Sequence, residues 1–167
     1  SLPLKPFLQK VKVIANGINI HRLELQDDDE VRIKNIRKKY NNKKLIFFIG
    51  RHVEYKGLKY LIEAEKYIAT DCYIVIAGQG PLTEELKAKA NLERVIFVGR
   101  LNNDDLRCYL HVADVFAFPS ITKNEAFGLA LAEAMYCGCP AVTFHIEGSG
   151  VNWVSLNGVT GIEVANS

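Results

Sequence analysis

Two cations and two carboxylates stand where they suit an anionic, hydroxyl-bearing ligand. Arg51 and Lys56 lie five residues apart in Gly50-Arg51-His52-Val53-Glu54-Tyr55-Lys56-Gly57, directly after the apolar run at 45–49. Arginine can fork across two oxygens of a phosphate, lysine can act as a point charge, and free amides at the start of a following helix add donors. Taken alone, such a pair is more often two solvated cations on a surface turn. Glu125 and Glu133 are eight residues apart in Phe118-Pro119-Ser120-Ile121-Thr122-Lys123-Asn124-Glu125-Ala126-Phe127-Gly128-Leu129-Ala130-Leu131-Ala132-Glu133. A strand ends in Pro-Ser, a polar loop follows, and an Ala/Leu-rich helix opens near Gly128, so Glu125 falls at the mouth of that helix and Glu133 inside it. The rest of the helix is apolar all round, which implies burial. A buried carboxylate needs a partner: paired ribose hydroxyls would satisfy it, and so would a core-edge Arg or Lys. The two readings stand level.

Weaker signals follow other strands. Gly78-Gln79-Gly80-Pro81 permits a tight turn and close backbone approach, although an empty βα turn explains it as well. Gly99-Arg100-Leu101 running into Asn102 and Asn103 could form a slot for a flat base. Several chemistries lack their spacing. No Gly-x-Gly-x-x-Gly and no Gly-x4-Gly-Lys-Ser/Thr occurs. The four histidines have no carboxylate or nucleophile in evident register for a triad. Cys72, Cys108, Cys137 and Cys139 give no zinc pair-plus-pair pattern, so no metal site is expected and the thiols read as reduced and mostly buried.

The elements that must carry these residues alternate. Apolar, β-branched runs at 11–15, 45–49, 72–77, 95–98, 115–118 and 141–144, with a weaker one at 162–164, read as strands. Several are apolar throughout, as parallel strands covered on both faces are. Helical segments lie between them at 27–40, 58–69, 81–90, 104–112 and 128–136. The first runs from an acidic start to a basic end, matching the helix dipole. Pro81 suits a first turn, and Asn102 or Asn103 an N-cap. The pattern predicts an α/β domain, a Rossmann-like parallel sheet with helices on both faces. In such sheets ligands sit beyond the carboxyl ends of the strands, where strand order reverses.

The 167 residues amount to one domain, with no linker, repeat or low-complexity tract. A net charge of +2 lacks the basic excess of a nucleic-acid binder. No apolar run nears the roughly 18 residues of a membrane span. Residues 1–4 lack the basic and apolar blocks of a signal peptide, and no Met opens the chain, as expected of a processed end or a piece of something longer.

Taken in order, these residues resemble the C-terminal, donor-binding domain of retaining glycosyltransferases of the two-domain GT-B fold, family 4. Asn16-Gly17-Ile18-Asn19 is similar to that family's opening loop, Gly50-Arg51 through Lys56-Gly57 to its phosphate loop, and Gly78-Gln79-Gly80-Pro81 to its glycine-proline turn. Glu125 and Glu133 have the spacing of its Glu-x7-Glu signature, and Asn157-Gly158-Val159-Thr160-Gly161 resembles its terminal turn and strand. Two departures stand out: Ala126 where glycine is common, and Glu147-Gly148-Ser149-Gly150 in place of a glycine pair.

The resemblance implies that Arg51 and Lys56 hold the diphosphate of a UDP- or GDP-sugar, helped by Gly78, Gly80, Phe127 and the amides of Gly128, Leu129 and Ala130. It implies that Glu133 binds the ribose, Leu101 the base, and that Glu125 faces the sugar as the catalytic residue. No metal or other cofactor is implied. The acceptor, a glycan or lipid, would be bound by an N-terminal domain absent from residues 1–167, leaving the isolated domain inactive. The expected location is cytoplasmic, compatible with membrane association of a full-length protein. A non-catalytic nucleotide-binding or interaction module of the same fold is the alternative, and a nicotinamide-dependent oxidoreductase a third.

Overall fold

The computed structural model describes residues 2–12, 14 and 16–166. Its centre is a six-stranded, all-parallel sheet: β1 (Lys44–Ile49), β2 (Cys72–Ala77), β3 (Val95–Gly99), β4 (Val115–Phe118), β5 (Ala141–Phe144) and β6 (Gly161–Val164), in the order β3-β2-β1-β4-β5-β6. The helices are α1 (Asp29–Lys39), α2 (Leu58–Ala64), α3 (Thr83–Lys89), α4 (Asn103–Val112), α5 (Leu129–Tyr136) and the short α6 (Val151–Val154).

The central strands show why the sheet is covered on both sides. Successive side chains of a strand point to opposite faces. Phe47, Val75, Phe116 and Phe118 accordingly join α1, α4 and α5 in one core. Phe48, Ile74, Ile76 and Ala117 join α2 and α3 in the other. Phe47, Phe48, Val75 and Ile76 are completely buried, so β1 and β2 read as unbroken apolar runs, without alternation. Crossovers of one hand running from β1 through β2 to β3 keep α2 and α3 on one face, and those running the other way, to β4 and then β5, put α4 and α5 on the opposite face.

One buried ion pair ties the α1–α4 side together. The Arg107 guanidinium forks onto Asp29, Nε to Oδ2 at 2.6 Å and Nη2 to Oδ1 at 3.0 Å, with both residues buried. Asp29 also accepts from the Gln26 amide and the Cys108 thiol. The same Arg107 bonds the Arg22 carbonyl at 3.4 Å, and His111 bonds the Leu23 carbonyl at 2.8 Å. Two α4 side chains thus fix the backbone at Arg22 and Leu23.

Some expectations shift. No strand forms among Val11, Lys12 and Ile14, and the rest of that expected strand, Val13 and Ala15, lies outside the described residues. Val11 and Ile14 are exposed with no neighbouring strand to pair. The first helix starts at Asp29, whose carboxylate turns inward to Arg107 instead of answering the helix dipole. The second ends at Ala64 and continues as a 3-10 turn, Glu65–Tyr67. Pro81 precedes its helix, which opens at Thr83. Asn102 caps α4, its side-chain oxygen accepting from the Asp105 amide at 2.8 Å. Cys72, Cys108 and Cys139 are buried and Cys137 is half-buried, all free. Desolvation pushes the Cys137 thiol up to about 11 and those of Cys108 and Cys139 to about 12.

Removing one partner of the Asp29–Arg107 pair leaves a buried charge alone, so Arg107→Met should cost about 3–5 kcal/mol in urea unfolding. Replacing both, as Asp29→Leu with Arg107→Met, should cost less than either alone. The hydrogen bonds from Arg107 hold the Asp29 carboxyl well below its ordinary 3.8. A depressed carboxyl stabilises fully above that value, and the contribution fades as pH falls further. Unfolding midpoints measured from pH 6 down to pH 2 should therefore drop more steeply in the native protein than in the double variant.

Candidate functional site

Strand order reverses at β1, which has β2 on one side and β4 on the other. The loops leaving β1 and β4 are stitched together at this point. The Ile121 amide donates to the Tyr55 carbonyl at 2.9 Å. Gly57, at φ 64°, lies so close to Pro119 that a Cβ there would meet its carbonyl oxygen at 1.9 Å. Across the same seam the Lys56 ammonium pairs with Glu125, both side chains 12 % exposed. Lys56 Nζ also lies 5.1 Å from the Phe118 ring centroid, an attraction that holds the cation against an apolar wall.

Lys56, Glu125, Phe127, Gly128, Leu129 and Ala130 line one hollow of about 340 Å³, together with Asn16. Glu125 takes both Lys56 and the Ser120 hydroxyl (3.0 Å) on Oε2, and Oε1 has no hydrogen bond among the described residues. Gly128 opens α5 without a side chain to cap it, so the first amides of the helix are left for a ligand or water. Behind the hollow, the Ser149 hydroxyl donates to the Glu125 carbonyl, and the Gly150 amide donates to the Ala126 carbonyl at 2.9 Å. Ser149, at one of the expected departures, therefore buttresses the loop that carries Glu125.

Arg51, Gly78 and Gly80 line a second hollow of about 420 Å³ with Gly50, Gln79, Pro81 and Arg100. Gly50 of this hollow neighbours Lys56 of the first, since a Cβ on it would lie 3.7 Å from Lys56 Cε. Gly78, at φ 103°, leaves no room for a side chain: a Cβ would come within 1.9 Å of the Gly50 carbonyl oxygen. His52 is wholly buried, bonded to Thr83 and near the Ala77 carbonyl. Burial lowers its pKa below the ordinary 6.5, so it is neutral at pH 7 and leaves the loop's positive charge to Arg51 and Lys56.

Leu101 and Glu133 line neither hollow. Leu101 packs half-buried against the core, and its neighbour Arg100 faces the second hollow. Glu133 is 8 % exposed, as its apolar helix implies, and is paired with the Arg22 guanidinium. The core-edge arginine is thus present in the structure. Arg22 stands in none of the motifs read from sequence, and Asn16, Arg100 and Ser149 appear there only within longer stretches, with no role of their own. Arg22 is 111 residues from its partner, and no local spacing reports such a pairing. An apolar hollow beside Tyr60 and Phe144 is lined by no charged residue. Among the described residues no cluster of three or more His, Cys, Asp or Glu could hold a metal, and no helix is long and apolar enough to cross a membrane.

Comparison with known proteins agrees with this arrangement. A family model described as glycosyl transferases group 1 matches residues 29–166. The chain is 32 % identical to D-rhamnosyltransferase WbpZ of Pseudomonas aeruginosa over 98 % of its own length and 42 % of that protein's. It is 30 % identical to O-antigen chain mannosyltransferase C of Escherichia coli, over 96 % and 42 %. It therefore spans about two-fifths of the relatives it matches. Among solved structures, Anabaena Alr3699/HepE in complex with UDP-glucose superposes with a TM-score of 0.78 at 26 % identity, covering 92 % of this chain and 43 % of that one.

The packing around Gly57 separates two costs. Gly57→Ala should cost several times as much in thermal unfolding as Gly138→Ala. Gly138 has a similar φ, 79°, but open space around it, and pays only about 1–2 kcal/mol of left-handed strain. Equal costs would mean that the β1 and β4 loops are not in contact.

Proposed function

The chain belongs to the group 1 glycosyl transferases, and from that premise we propose that it is the donor-binding domain of a retaining family 4 hexosyltransferase. That enzyme would move a sugar from a UDP- or GDP-sugar to a glycan or lipid-linked acceptor bound by a second domain, without a metal. One observation carries the reading: at the reversal of strand order, Lys56, Glu125 and the uncapped start of α5 converge on one hollow. The likeness to a structure holding UDP-glucose supports a uridine or related donor.

The chemistry follows from charge. Breaking the anomeric bond develops negative charge on the departing diphosphate. Arg51, Lys56 and the amides of Gly128, Leu129 and Ala130 are fixed donors that answer this charge without reorganising, the task a divalent ion performs elsewhere. Phe127 walls the hollow, and Gly78 and Gly80 let backbone approach the ligand from the Arg51 side. The open Oε1 of Glu125 faces the sugar, as nucleophile or as stabiliser of an oxocarbenium-like centre. Once the ammonium of Lys56 turns to phosphate, Glu125 is released for that role. Glu133 takes the ribose hydroxyls, and the Arg100–Leu101 backbone the base.

Titration calorimetry of the protein with UDP, GDP, ADP and NAD, first in EDTA and then with magnesium, tests the reading. One nucleoside diphosphate should bind in EDTA, with no gain from magnesium. Arg51→Ala or Lys56→Ala should weaken it by about 1–3 kcal/mol. Glu133→Ala should weaken the nucleotide but spare pyrophosphate. In the two-domain enzyme, Glu125→Ala should spare UDP affinity and abolish transfer. Preference for NAD, or equal behaviour of all four variants, would overturn the assignment.

A further inference from the structure

Arg22 has no part in the roles assigned so far, yet the fold goes to some length to place it. Its backbone is held by two side chains of α4, the Arg107 guanidinium on its carbonyl and His111 on that of Leu23, and Leu23 is buried. From that anchorage its guanidinium reaches α5 and pairs with Glu133. Arg22 Nε is left buried with no acceptor among the described residues, so the pairing with Glu133 is what offsets its placement there.

The partner is equally telling. Glu133 lies three and four residues beyond Ala130 and Leu129, hence on the same face of α5 as two residues lining the hollow. Arg22 Nη2 bonds only Oε1, and Oε2 has no hydrogen bond among the described residues. A buried carboxylate beside a diphosphate would repel it and would itself lack a counter-charge. A guanidinium on one oxygen supplies that charge and fixes the carboxylate's rotation, leaving the second oxygen for hydroxyl groups. This disposition parallels Glu125, whose Oε2 is occupied by Lys56 and Ser120 while Oε1 stays open.

We propose that Arg22 is a positioning residue for ribose recognition: it aims Glu133 and cancels its charge, so that the carboxylate reads ribose hydroxyls next to an anion site. This rests on the assignment of Glu133 to the ribose. It reconciles the two readings of Glu133, since the core-edge arginine and the ribose take different oxygens.

The test is the ratio of affinities for UDP and 2′,3′-dideoxy-UDP, and for GDP and its dideoxy counterpart, by calorimetry on the native protein and on Arg22→Ala, Arg22→Gln, Glu133→Ala and the Arg22→Ala/Glu133→Ala double variant. A site built to bond hydroxyls should prefer the ribonucleotide by about tenfold or more. Both Arg22 variants should reduce that preference to about twofold, and the double variant should lose no more than Glu133→Ala alone. Because the ratio compares two ligands on one sample, partial unfolding does not imitate its loss, and Arg22→Gln keeps most of the side chain's volume. If Glu133→Ala abolishes the preference while both Arg22 variants keep it, the role of Arg22 is refuted and the ribose assignment stands. A native protein with no preference, or with no nucleotide binding, overturns the ribose assignment and this proposal together.

Discussion

The arrangement rests on one constraint: β1 is buried on both faces and paired on both edges. Phe47 and Phe48 fill opposite cores with no exposed surface, and β2 and β4 take the two edges. A parallel strand in that position cannot be joined to its neighbours by tight turns. Each connection must cross over with a helix, and the crossovers depart in opposite directions from the two edges of β1. A crevice opens beyond its carboxyl end as a result of this packing, whatever the crevice is used for.

Two carboxylates of this region, Glu125 in the crevice and Glu133 one helical turn from its lining, are paired with cations from distant segments, while Arg51 enters no ion pair among the described residues. Lys56 meets Glu125 across the β1–β4 seam, and Arg22 meets Glu133 from a segment held by α4. Each carboxylate has one oxygen engaged and one open. Half-satisfied pairs of this kind preserve electroneutrality in a poorly solvated site while keeping acceptors available, a compromise between the penalty of a lone buried charge and the inertness of a saturated one.

Much of the fold was legible because the strands are buried. β2, β4 and β5 run where the apolar runs at 72–77, 115–118 and 141–144 lie, since double-sided burial leaves an uninterrupted apolar signature. The expected strand at 11–15 is likewise rich in apolar residues, yet Val11, Lys12 and Ile14 join no strand, and composition cannot report a missing neighbour. Asp29 looked like a dipole-matching residue at a helix start; only the packing of α1 on α4 turns it into half of a buried ion pair. The loop residues Arg51, Lys56, Gly78 and Gly80 were readable because they follow strands directly. The roles of Arg22 and Ser149 were not, because their partners Glu133 and Glu125 come from elsewhere in the chain and leave no periodicity or spacing.

The rim of the crevice is stitched largely by main-chain atoms: Gly50 to Ala77, His52 to Gln79, Gly78 to Gly99, Ile121 to Tyr55 and Gly150 to Ala126. A frame that relies on amides and carbonyls imposes few demands on the side chains that project from it. Tyr55, Gln79, Arg100 and Ala126 can therefore be exchanged in the course of divergence without disturbing the backbone that presents them. Single replacements at these positions would change what a ligand meets, while Gly57 and Gly78, where a Cβ would strike a backbone carbonyl, leave the frame no such freedom.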